Sequence, residues 1–224
     1  LWDLGVFFKQ IAHDPRPKGI VLILRGFDMA LADLQTVREH VLMVRASGKR
    51  VIAYAQTYDI ATYYIASAAD EIIMQPGGEL ATVGLSQQVI FFKDALESIG
   101  VAFDAIAISP YKGFFDSLTR SDISAEGRAQ FEWLLDSRFA QYVSDIASGR
   151  GVTPDAVRAM IDASPLSAVD ALAAGYVDAI LTEESLPAHL NAEHLVTQDR
   201  AERVLLRKAR KPHAKYIAVL PMNG

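Results

Sequence analysis

The chain has 224 residues, 51% of them hydrophobic, a formal net charge of −5 and no cysteine. That length and apolar content suffice for one substantial core with an appendage, while the acidic balance and scattered basic residues speak against a nucleic-acid partner; residues 203–215 (RVLLRKARKPHAK) form a local basic run. Without cysteine the chain forms no disulfide, thiolate nucleophile or zinc–thiolate site, so its redox compartment stays open.

The longest apolar runs, such as residues 20–24, fall far short of the roughly 20 residues needed to cross a bilayer, and no signal peptide opens the sequence, so the chain as given reads as soluble. Leu1 stands inside an apolar-periodic segment, and residues 216–221 (YIAVLP) read as a fresh strand that soon stops. Both ends suggest part of a longer polypeptide.

In residues 1–13, Leu4, Phe7, Phe8 and Ile11 recur at helical spacing, and Asp14 and Pro15 close that helix. Residues 19–24 (GIVLIL) are apolar on both faces, as a strand covered on both sides should be. Leu31, Leu34, Val37, Val41, Leu42 and Val44 return to helical spacing up to Gly48, and residues 50–55 form the next strand. The alternation continues with a helix over 60–70, a strand over 71–74, a turn at Pro76, Gly77 and Gly78, a helix ending at Gly100 and a strand over 101–108. Repeated strand–helix units predict an α/β layer with mostly parallel pairing and right-handed crossovers.

Beyond residue 112 the chain turns helical. Ser124 caps a long helix whose predicted buried face carries Phe131, Leu134, Leu135, Phe139, Tyr142, Val143 and Ile146 and which ends near Gly149 and Gly151. Thr153 with Pro154 opens another helix, and Ser167 with Asp170 forms a capping box before Gly175 and a run over 176–181. Residues 183–200 are polar and read as a loop with some helix.

The histidines His13, His40, His189, His194 and His213 lack HExxH spacing, and neither GxGxxG nor GxxxxGK[ST] occurs, so no metal, nucleotide or other cofactor is expected. No GxSxG marks a nucleophile elbow; Ser67 reads as a small packing residue and Ser86 as a helix cap. The remaining chemistry is a serine–lysine dyad, in which a neutral lysine takes the hydroxyl proton and returns it to the leaving amine. Lysine does this only when apolar neighbours desolvate it. Lys112, among Tyr111, Phe114 and Phe115, is the candidate, against the plainer reading that it snorkels over aromatic rings. No convincing serine partner accompanies it.

The run over 62–85 (TYYIASAADEIIMQPGGELATVGL), followed by VAFDAIAI and PYKGFFDSLTRSDISAEGR, resembles the signal peptide peptidase A (protease IV) family, and most closely the amino-terminal half of its long two-repeat form. DPRPKGIVLIL and SAVDALAAGYVDAI are also similar to this family and to the wider Clp protease and crotonase superfamily. The resemblance implies a Clp protease/crotonase-like α/β fold with a parallel β core, flanking helices and a helical extension. It places Lys112 on the family's catalytic lysine. Laying Tyr63, Tyr64, Ile65 and Ala66 on the family's YYIA puts Ile60 where the catalytic half has its serine, with Ala61 and Thr62 in place of two glycines. The glycine-rich turn after the first strand is here Arg25, Gly26, Phe27 and Asp28.

By that resemblance, residues 1–182 are a lysine-bearing peptidase repeat, 183–215 a connecting segment and 216–224 the start of a second repeat that supplies the serine, within this chain's continuation or from a neighbouring protomer. The implied partners are peptide substrates, namely cleaved signal peptides, and further copies in a homo-oligomer. The implied location is the extracytoplasmic side of a bacterial inner membrane. Two other readings stand beside it: a catalytically inactive scaffold half that builds the oligomer and substrate groove, and a crotonase-type acyl-CoA enzyme.

Overall fold

The computed structural model describes residues 2–106, 108–109, 111–192 and 195–205. Helix α1 (Trp2–His13) buries Phe8 and Ile11 and ends where Asp14 N–H donates to the Gln10 carbonyl. Strand β1 (Gly19–Ile23), helix α2 (Leu31–Ala46), strand β2 (Arg50–Asp59), helix α3 (Ile60–Ala66) and strand β3 (Glu71–Ala81) then alternate as the periodicity predicts. The register is parallel throughout, Ile20 facing Val51 and Ala53 facing Ile72.

Side chains alternate across β2. Val51, Ala53 and Ala55 join the main core with α1, α2 and α3, whereas Ile52 and Tyr54 join Ile73 and Leu186 in a smaller cluster on the other face. β1 is an edge strand, because the sheet runs β1-β2-β3-β4, and its residues are half-buried or exposed where coverage on both faces is expected from the sequence. The predicted turn at Pro76–Gly78 is instead an irregularity inside β3, where the pairing with β2 shifts between Ala55 and Thr57. Gly78 is required there: a Cβ would stand 2.1 Å from the Gln56 carbonyl oxygen.

Helix α4 (Lys93–Ser98) is shorter than predicted, and Phe92 rather than Ser86 precedes it. None of the described residues of 101–108 is in a strand; Val101–Ile106 are exposed. β4 and β5 take the other side of β3, so among the described residues no strand pairs with this apolar run, and apolar pattern alone does not distinguish a buried strand from a segment awaiting an outside partner.

A 3₁₀ turn (Gly113–Phe115) and helix α5 (Asp116–Thr119) lead to the 26-residue helix α6 (Ala125–Arg150), capped by Ser124, whose hydroxyl accepts from Gly127 N–H at 3.1 Å. Only the second half of the predicted apolar face is buried, at Tyr142, Val143 and Ile146, whereas Leu134 is exposed. The first turns of α6 therefore reach beyond the body of the chain. Helix α7 (Pro154–Ala163) starts at Thr153 as read, strand β4 (Leu166–Ser167) pairs antiparallel with β3, and helix α8 (Ala168–Ala173) has the predicted Ser167 cap. Strand β5 (Ala179–Ile180) is parallel to the start of β3, helix α9 (Leu186–His189) covers the smaller cluster through Leu186, and α10 (Gln198–Val204) closes the described part.

Parallel-rich sheet, flanking helices and helical extension together make this a Clp protease/crotonase-like α/β fold. The basic run beyond residue 205 and the expected strand over 216–221 lie outside the described residues, as does Pro110.

Candidate active site

Ile60 is the first residue of α3, immediately after Asp59 ends β2. A sharp strand-to-helix turn of this kind is where a nucleophile would be presented. The sequence builds the turn with a cap instead: the Asp59 carboxylate accepts from Thr62 N–H and from the Thr62 hydroxyl, both at 2.7 Å, and Thr62 is 1% exposed. Ile60 is half-buried against the main core. Its side chain carries no atom able to attack a carbonyl.

Beside this turn, at the carboxyl ends of β1 and β2, lies a cleft of about 480 Å³. Arg25 and Gly26 from the turn after β1, Gln56 and Asp59 from β2, and Glu183 form its polar lining. Arg25 reaches Glu183 at 3.6 Å. Ligand sites of open α/β sheets form outside the carboxyl ends of the strands, which fits this place in the fold.

Lys112 stands at the start of the 3₁₀ turn, its N–H donating to the Ser109 carbonyl at 3.0 Å. Three contacts fix this segment to its surroundings. Gln130 Nε2 donates to the Tyr111 carbonyl at 3.0 Å, Ser124 Oγ donates to Asp116 at 3.1 Å, and Phe92 N–H donates to the Ser117 carbonyl at 2.7 Å. The backbone around Lys112 is thus held by α6 and by the start of α4.

The lysine itself is exposed, and its Nζ has no hydrogen bond or ion pair among the described residues. Tyr111 is 57% and Phe115 50% exposed, so the expected aromatic cover is not formed by those two rings, while the side chain of Phe114 lies outside what is described. Among the described residues no hydrogen bond or ion pair joins Lys112 to Ile60 or to the residues lining the cleft. Two serines on its own segment are engaged elsewhere: Ser121 Oγ donates to Asp94 at 2.6 Å, and Ser124 caps α6.

Sequence reasoning missed a buried polar network behind α3. Arg38 of α2 is 6% exposed; it donates to the Tyr64 carbonyl at 2.8 Å, to Ser67 Oγ at 2.6 Å and to the Asp145 carbonyl. The Tyr64 hydroxyl donates to the Asp145 carboxylate at 2.5 Å. Burial lowers the Arg38 guanidinium from its ordinary value, and burial followed by Asp145 pushes the Tyr64 phenol up. The available signal was a basic residue next to Val37 on an otherwise apolar helix face. Ser67, read as a packing residue, closes α3 within this network.

A parallel-rich sheet with flanking helices, and a cleft at the carboxyl ends of its strands beside a strand-to-helix turn, fit the Clp protease and crotonase class. Within that class, the model for peptidase family S49 matches residues 43–197, and the chain belongs to that family. It is 32% identical over 157 residues to Protease 4 of Haemophilus influenzae, covering 70% of this chain and 26% of that protein. It is 26% identical over 149 residues to the chloroplastic serine protease SPPA of Arabidopsis thaliana, 66% of this chain and 22% of that protein. It is 25% identical over 155 residues to Protease 4 of Salmonella typhi, 69% of this chain and 25% of that protein. The chain spans about a quarter of the length of these relatives.

Proposed function

We propose that this chain is the lysine-bearing half of a serine endopeptidase that degrades remnant signal peptides, its serine coming from a second repeat or a neighbouring protomer. The observation that carries the reading is the occurrence of Lys112, exposed on a fixed turn with no partner for its Nζ among the described residues, together with Ile60 at the strand-to-helix turn of a chain in peptidase family S49. A base is available, and the position suited to the nucleophile has no hydroxyl.

In the proposed reaction the neutral Lys112 amine accepts the proton of the serine hydroxyl as the serine oxygen bonds to the scissile carbonyl carbon. The tetrahedral intermediate expels the amine, which takes that proton from Lys112. Water, deprotonated by the same lysine, then attacks the acyl ester and returns the serine. Exposure of Lys112 within this chain requires its desolvation to come from the partner that brings the serine. Exposed apolar side chains shortly before it in the chain, among them Phe103, Ile106 at 95% and Ile108 at 84%, support such a covering partner and a homo-oligomer.

Among the described residues no helix is long and apolar enough to cross a membrane. Placement on the extracytoplasmic side of a bacterial inner membrane is proposed from the resemblance to the signal peptide peptidase A family. Residues 183–215 then act as the connection and 216–224 as the opening of the serine-bearing repeat.

A fluorophosphonate reacts with an activated serine, and peptide mapping of the labelled complete protein tests the division of labour. The adduct is expected outside residues 1–215; an adduct on a serine within them overturns the split site. The second reading, an inactive scaffold half, draws on the same exposure of Lys112 and predicts that removing its amine leaves hydrolysis intact.

A further inference from the structure

A second cavity, of about 270 Å³, lies between the amino end of α2, the loop after β3 and one face of α6. Leu135, Arg138 and Tyr142 share that face of α6 at spacings of three and four. Met29, Leu31 and Leu85 complete an apolar wall.

Donors of three kinds stand at or beside it. Helix α2 has Ala30 as its N-cap, with no side-chain cap, so the N–H groups of Leu31 and Ala32 have no partner among the described residues. Arg138 is exposed and makes no ion pair among the described residues. Tyr142 is only 6% exposed and packs edge-on to Tyr64 at 5.0 Å, yet its hydroxyl has no hydrogen-bond partner among the described residues. No side-chain oxygen among the described residues is sealed away unpaired, so that hydroxyl keeps some accessible surface on a residue that lines the cavity. Burial pushes its phenol up, with the Arg138 guanidinium pulling the other way, so it stays a donor at neutral pH.

Unpaired helix N–H groups, a guanidinium and a phenol O–H suit an anion with two oxygens, and a guanidinium matches a carboxylate in a bidentate manner. Asp33 in the first turn of α2 and Asp59 near Tyr142 are the opposing charges. They disfavour a multiply charged anion such as phosphate more than a carboxylate of single charge. The apolar wall leaves room for one side chain beside that group. We infer that this cavity binds the free C-terminal carboxylate of a peptide whose last side chain is apolar. Recognition of a carboxylate stands on the donors alone; that it belongs to a peptide rests on the peptidase reading.

The test is equilibrium binding of acetyl-Ala-Leu, acetyl-Ala-Leu-amide and 4-methylpentanoate to the complete protein, its Arg138→Ala and Tyr142→Phe variants, and Lys112→Ala. The acid should bind about tenfold more tightly than the amide, and that preference should vanish in Arg138→Ala and shrink in Tyr142→Phe. It should persist in Lys112→Ala, which separates this site from the proposed dyad. Equal binding of acid and amide, or a preference unchanged in Arg138→Ala, overturns the carboxylate site. Equal binding of 4-methylpentanoate and the dipeptide overturns the peptide as its ligand. Arg138 is exposed, so its variant should fold, and an unchanged thermal midpoint checks this.

Discussion

Asp59 holds both the backbone N–H and the hydroxyl of Thr62, each at 2.7 Å, and Ile60 lies between these two residues at the turn from β2 into α3. The turn is thereby built as a capped helix start with an apolar first residue. Asp59→Ala should lower stability by about 1 kcal/mol, the usual cost of a lost cap. Urea unfolding checks this through a lower midpoint at unchanged slope.

Behind the same helix, Arg38 satisfies the Tyr64 carbonyl, Ser67 Oγ and the Asp145 carbonyl from inside the core. Arg38→Met keeps much of the volume but leaves those buried acceptors without their cation. A loss of about 2 kcal/mol or more is expected in thermal or urea unfolding. An unchanged midpoint would show that the network contributes little.

The long helix α6 crosses α3 where Gly149 meets Ser67. A Cβ on Gly149 would stand 2.2 Å from the Ser67 carbonyl oxygen, a backbone atom that cannot swing aside. Gly149→Ala should therefore destabilise the chain by about 1–3 kcal/mol despite alanine's better helix propensity. The two contributions have opposite sign, and a stabilised variant would place the helices farther apart than described.

Arg150 grips both oxygens of Asp178 at 2.8 Å, and Ile72 N–H donates to the same carboxylate at 2.7 Å, tying α6, β3 and the approach to β5 together. Burial by itself raises this carboxyl, but Arg150 and the Ile72 N–H hold it below its ordinary value. A carboxyl depressed on folding contributes stability above its unfolded value of roughly 3.9, and that contribution is lost as pH falls through the lower folded value. Asp178→Asn should cost about 1 kcal/mol at neutral pH, modest because Asp178 is partly exposed. The gap from the wild type should close in unfolding experiments carried below about pH 4.

Much of this architecture was legible because the signals were local. Helical spacing in residues 31–46, Thr153 before Pro154 and Ser167 with Asp170 each mark an element that forms at that place. What was not legible depends on neighbours. β1 reads as buried on both faces but lies at an edge, 101–108 reads as a strand but none of its described residues is in one, and Leu134 reads as core but is exposed. In each case apolarity was visible and its partner was not. The motif singled out Lys112 as a candidate, whereas its exposure is a property of packing, and on the proposed reading its cover comes from another chain or repeat.

The most direct test of that dependence is peptide hydrolysis by the complete protein carrying Lys112→Ala, with assembly followed by sedimentation. A rate at least about 100-fold below wild type in a normally assembled protein is the expected result, since loss of a general base typically costs ~10²–10⁴-fold. Hydrolysis at the wild-type rate with assembly intact would contradict the split dyad and leave this half as a scaffold.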